Sequence, residues 1–143
     1  MGDIRKNFSC SEFEKSKTAD DNGIDNHIKS EAVKEAIKEL VLTCLQPVRD
    51  FVRVPIIVES GWRCLLLNKL VGGVPSSQHP KGEAADIRSP FMTPLELARA
   101  VVALHLPFDQ LILYPTFVHV SHKLKGKQRG QILYNRRYTG EKI

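Results

Sequence analysis

No C-x-x-C pair occurs in the chain, and its three cysteines, Cys10, Cys44 and Cys64, cannot make a complete disulfide set. A cysteine-built zinc cluster and a disulfide scaffold are therefore excluded, and reduced, mostly buried thiols are expected. No apolar run approaches the ~20 residues that cross a bilayer, so no membrane span is expected. The opening residues, MGDIRKNFSCSEFEKSK, carry no apolar core of a secretory signal, and the expectation is synthesis in the cytoplasm. Repeats and low-complexity linkers are also missing, which reads as one domain over residues 1–143, expected to be a monomer. The net charge is +5, much of it late, at Lys123, Lys125, Lys127, Arg129, Arg136, Arg137 and Lys142. No recognition helix or stacking-aromatic motif accompanies that charge, and nucleic acid is not an expected partner.

What is present divides into segments by its patterning. Residues 1–29 are polar and rich in turn formers (TADDNGIDN), and read as an irregular segment pinned to the core by Phe8, Phe13 and Ile24. From Ser30, apolar residues recur at helical spacing: Val33, Ile37, Leu40, Val41, Cys44, Leu45 and Val48. Ser30 suits an N-cap, Glu31 suits the positive end of the helix dipole, and Pro47 should bend or end the helix. VPIIVES (54–60) reads as a buried strand, and RCLLLNKLV as a short helix stopped by Gly72 and Gly73. TPLELARAVVAL (93–104) opens with a capping box, Thr93 with Glu96, and has Pro94 at the first helical position. DQLILY and FVHVSH, separated by Pro115 and Thr116, read as a hairpin that sets His119 opposite Ile112. Residues 123–143 read as a basic C-terminal segment. Helices and strands mix without regular βαβ alternation, which favours an α+β domain with a small, mainly antiparallel sheet and flanking helices.

The segment SSQHPKGEAADI, residues 76–87, concentrates polar groups between apolar runs. A loop histidine, His79, and a strand aspartate, Asp86, can converge, with Gly82 permitting the turn between them. His119, in an otherwise apolar strand, can approach from a neighbour. From the residues alone two readings stand: three ligands of one metal, or hydrogen-bonded structural side chains.

The segment fits S-x-H-x-x-G-x-A-x-D as Ser77, His79, Gly82, Ala84 and Asp86. With SGWR upstream and FVHVS downstream, it resembles the zinc D-Ala-D-Ala carboxypeptidase and L-alanyl-D-glutamate endopeptidase family. That family of peptidoglycan metallopeptidases shares its fold with vancomycin-resistance dipeptidases and the hedgehog signalling domain. The resemblance runs from about Phe8 to Tyr134. It implies a hedgehog/DD-peptidase-like fold and a zinc ion held by His79, Asp86 and His119. It implies a hydrolase acting on peptidoglycan stem peptides, as carboxypeptidase or endopeptidase, in wall remodelling or as an endolysin. Without a signal peptide, such a protein would reach the cell wall by lysis or a holin-like route. A non-catalytic zinc-binding module for wall or protein ligands is the alternative.

The resemblance also implies that Arg63, in SGWR, points into the cleft, where a guanidinium could bind a carboxylate or polarise a carbonyl. Ser77 and Gln78 are expected to shape the substrate-binding loop. Trp62 serves as a substrate platform or a core anchor. Members of the family commonly carry an acid three residues before the last histidine, and here that position is Thr116. Asp109 is the leading replacement as general base, and Glu83 the next. Asp109 has an equal structural reading as a strand-start residue, and alternation along the hairpin places it on the face opposite His119. His122 is a helper in the reaction or a surface residue.

Overall fold

The computed structural model of the chain describes residues 4–143. Its spine is a mixed sheet of five strands in the order β1-β2-β4-β3-β5. The strands are β1 (Ile57–Ser60), β2 (Ala84–Arg88), β3 (Gln110–Leu113), β4 (Val118–Ser121) and β5 (Gln131–Tyr134). All neighbours run antiparallel except β3 and β5, which are parallel. With its helices, the protein has the α+β organisation read from the sequence.

Ser30 caps the main helix, its hydroxyl accepting from the Val33 amide at 3.3 Å. Helix α3 (Glu31–Leu40) buries Ile37 and Leu40 and turns its charged residues outward. Pro47 does not end it. Proline has no N–H to offer the preceding turn, and its ring crowds the carbonyl four residues back. The chain widens into one π turn, Val41–Leu45, just before the proline and continues as α4 (Gln46–Val52). A helix accommodates a proline in this way by opening its ladder locally. Helix α6 (Pro94–Ala103) starts with the expected reciprocal capping box, at 2.9 and 3.1 Å between Thr93 and Glu96. Val41, Leu45 and Val48 join Leu97 and Val101 of α6 and the inner faces of β2, β3 and β4 in one core.

Some local expectations change. Two short helices, α1 (Cys10–Glu14) and α2 (Lys17–Asp21), occupy part of the stretch read as irregular, α2 being capped by Ser16 accepting from Ala19 N. Residues 1–3 of that stretch lie outside the described residues. Phe8 and Phe13 are fully buried and fasten the segment to the core as expected, whereas Ile24 is only half-buried and Ile28 joins the core instead. Strand β1 starts only at Ile57 and is half exposed, because it is an edge strand paired on one side alone. Helix α5 (Leu65–Leu70) ends before Gly72, whose φ is +78°. Its Leu67 is buried, while Leu65, Leu66 and Leu70 stay exposed. The basic C-terminal segment is not all tail, since β5 extends the sheet alongside β3. Of the three free thiols, only Cys44 is fully buried. No helix among the described residues is long and apolar enough to cross a membrane.

Candidate metal centre

Strand pairing assembles the centre. Asp86 on β2 stands directly opposite His119 on β4, and His119 is paired on its other side with Ile112 of β3, the register expected from the turn at Pro115-Thr116. That turn is closed by the Tyr114 amide donating to Phe117 O at 3.0 Å. His79 comes from a single 3-10 turn, His79–Lys81, between α5 and β2. Gly82 ends the turn at φ +77°, and a Cβ there would meet the Val33 carbonyl of α3 at 2.7 Å. Only glycine fits both the backbone conformation and the contact. It thus carries the chain from His79 into β2 against the main helix.

The three side chains converge. One carboxylate oxygen of Asp86, Oδ1, lies 2.9 Å from His119 Nδ1 and 3.4 Å from His79 Nε2. The His79 and His119 rings meet edge to face at 5.1 Å. His79 is fixed from behind by Nδ1, 2.6 Å from Gly61 O. A carbonyl can only accept, so Nδ1 carries the proton and the lone pair of Nε2 is directed at the centre. This is the outer partner that metal-binding histidines characteristically have. Burial would raise the pKa of Asp86, but the histidines beside it, His119 first through its hydrogen bond, outweigh burial and hold the carboxyl well below the ordinary range. Asp86 is therefore an ionised donor.

One ligand atom from each of the three residues lies within 4.8 Å of the others. Zinc with donors at about 2.0–2.2 Å and tetrahedral angles brings its ligand atoms roughly 3.3–3.5 Å apart. The 3.4 Å from Asp86 Oδ1 to His79 Nε2 matches this, while the 2.9 Å to His119 Nδ1 is a hydrogen bond that would lengthen around an ion. Two imidazoles and one carboxylate are a donor set that zinc accepts, and three protein ligands leave a position open. The residues fit the ion.

Arg63 borders the centre. Its Nη2 is 3.5 Å from Asp86 Oδ2, and it is steered by Nε to Ser60 Oγ and Nη1 to Asn68 Oδ1, both at 3.1 Å. The cleft, about 450 Å³, is also lined by Ser77, Gln78 and, from the hairpin, Gln110, Ile112 and Tyr114. Ser77 Oγ accepts from the His79 amide at 3.2 Å, fixing the ligand's backbone. Gln78 is nearly buried.

The other sequence candidates are placed elsewhere. Trp62 packs against the core and donates from its indole to Pro80 O at 2.9 Å, outside the lining of the cleft. Asp109 does not reach the cleft. It lies just before β3, fully buried, and makes a two-point pair with Arg129, at 2.7 Å from Nη2 and 3.1 Å from Nε. Burial raises its pKa, but hydrogen bonds from Arg129 win and lower it. Both oxygens of Glu83 are held, one by Gln78 Nε2 at 3.3 Å and one by the Leu124 amide at 3.0 Å. Thr116 is exposed at the hairpin tip. His122 is buried and donates from Nδ1 to Pro107 O at 2.6 Å, so it is not a surface residue, and it lies outside the lining of the cleft. Asp86 is the one carboxylate lining the cleft among the described residues.

Sequence reasoning missed Tyr114, Gln110 and Arg129 as cleft residues. The signal for the first two was present, because alternation from Ile112, the partner of His119, puts 110 and 114 on the same face. Tyr114 stacks on Phe117 with ring centroids 4.3 Å apart. Burial raises its pKa, and the charge of Asp86 adds to that.

An α+β domain that gathers two histidines and an aspartate in one cleft has a site able to hold a metal ion. The family model of peptidase M15 matches residues 6–121, and the chain belongs to this family of zinc D-Ala-D-Ala carboxypeptidase-type metallopeptidases. Comparison with curated proteins found no match.

Proposed function

We propose that the protein is a zinc peptidase that hydrolyses the stem peptides of peptidoglycan, as a D,D-carboxypeptidase or an L-Ala-D-Glu-type endopeptidase. The observation that carries this reading is the convergence of His79, Asp86 and His119 beside the guanidinium of Arg63. Zinc held there would supply Lewis acidity toward a peptide carbonyl and toward water. The chain's own residues do the rest. Gly61 O holds the proton of His79 on Nδ1, which keeps Nε2 free as a ligand atom. Arg63, held by Ser60 and Asn68, presents a charged fork to a substrate carboxylate or to the scissile carbonyl. Ser77 and Gln78 fix the loop that forms one wall. Action on the wall, in remodelling or as an endolysin, belongs to this proposal.

The test is a hydrolysis assay on purified peptidoglycan with the zinc-loaded protein and with His79→Ala. Release of stem-peptide fragments by the first and not the second supports the reading; full activity in the variant sinks it.

A second reading, a zinc-binding module without catalysis, is favoured by one observation. Asp109 and Glu83 are engaged outside the cleft and Thr116 is exposed, so no second carboxylate faces the centre among the described residues. Zinc at one per chain, with wall peptides bound but intact, would establish it.

A further inference from the structure

A second hollow of about 200 Å³ opens beside the metal cleft and shares Ser76, Gln78 and Arg129 with it. Its remaining walls are Lys81, Lys123, Lys125 and Glu83. Four cations thus face one carboxylate.

The loop that carries three of those cations is fastened rather than loose. Gln128 bonds both the amide and the carbonyl of Lys123, at 2.8 and 2.9 Å. The Leu124 amide donates to Glu83 Oε2, and the Arg129 amide donates to Asp109 Oδ1 at 2.8 Å. Both acids in reach are consumed by this framework. Glu83 is held by Gln78 and Leu124, and Asp109 takes Nε and Nη2 of Arg129 and lies 3.8 Å from Lys123. Lys81 and Lys125 pair with no carboxylate among the described residues. The hollow keeps an excess of positive charge next to a peptide-sized cleft, and an anion there is favoured by charge-assisted hydrogen bonds.

We propose that this hollow is a subsite for a carboxylate that the substrate peptide carries at a residue near the bond seated over His79, Asp86 and His119. The two hollows adjoin, so a single peptide spans both. The inference rests on the L-Ala-D-Glu form of the stem-peptide reading, in which the second-position D-glutamate adjoins the scissile bond, and sharpens it: the preferred substrate keeps a free acid where other stem peptides carry an amide.

Two synthetic stem peptides, one with D-glutamate and one with D-isoglutamine at the second position and otherwise identical, test this. Calorimetric affinity is measured for the full chain and for the Lys81→Gln/Lys125→Gln double variant, with hydrolysis followed in parallel. The acid peptide should bind about tenfold tighter at low salt, with the preference shrinking as salt rises. The double variant should bind both peptides alike, with unchanged zinc content and unchanged affinity for the amide form. Equal affinities in the unaltered protein, a preference that survives in the double variant, or no binding of either peptide would each overturn the subsite. Hydrolysis separates the two claims. Preferential binding without cleavage leaves the subsite standing and sinks the peptidase reading, while cleavage with equal affinities does the reverse.

Discussion

Asp86 and His119 face each other across β2 and β4, with one carboxylate oxygen 2.9 Å from Nδ1 of the ring. The same oxygen is 3.4 Å from His79 Nε2, so Asp86 is the hub of the centre. Asp86→Asn keeps the size and most of the hydrogen bonding but removes the charge. It should weaken zinc binding by about 100-fold or more, since an amide is a poor substitute for an ionised donor. Competition titration against a chromogenic chelator measures this, and near-native affinity would remove Asp86 from the ligand set.

Arg63 is tied at two nitrogens to Ser60 and Asn68 while a third approaches Asp86. Lysine cannot make that fork. Arg63→Lys should lower kcat/KM on stem peptides by about 10–100-fold, the scale of a charge-assisted contact, with zinc content intact. Parallel elemental and kinetic measurements check it. Lost zinc together with lost activity would instead make Arg63 a support of the centre.

Acid should unfold the protein through its buried carboxylates. Asp86 and Asp109 both have folded-state pKa values below their ordinary value. Their contribution is therefore fully present above about pH 4 and fades as pH falls through the lowered folded-state values. Asp109→Asn should cost about 2 kcal/mol at pH 7, because Arg129 and Lys123 lose a buried partner. The gap from the unaltered protein should narrow by pH 3. Urea unfolding at both pH values reads it, and a gap independent of pH would contradict the ion-pair account.

Gly82 combines φ +77° with a backbone carbonyl where a Cβ would sit. Gly82→Ala should destabilise the fold by about 2 kcal/mol or more, from the left-handed conformation and the clash with Val33 O. Chemical denaturation of the metal-free variant measures it directly, and a change within about 0.5 kcal/mol would mean that the turn relaxes at little cost.

The elements legible in the sequence were those encoded locally. Ser30 and the Thr93–Glu96 box announced their helices, and the Pro115-Thr116 turn fixed the register that sets His119 against Ile112. The ligand set was proposed from resemblance, and spacing alone did not distinguish a site from three structural residues. What stayed hidden depends on distant parts of the chain. Asp109 was weighed as a base because nothing nearby in sequence revealed Arg129, which claims its carboxylate from twenty residues away. Ile57 and Val58 have the composition of a buried strand, and only the sheet order makes theirs an edge. The π turn before Pro47 records a compromise that periodicity cannot express: the helix loses one ladder bond and keeps its apolar face.

Zinc content of the purified, reconstituted protein and of His79→Ala, measured by elemental analysis on the samples used for the peptidoglycan assay, tests the central claim most directly. The account predicts close to one zinc per chain with stem-peptide release, and loss of both in a variant that remains folded by circular dichroism. Absence of zinc from the reconstituted protein, or undiminished zinc and cleavage in His79→Ala, would contradict it.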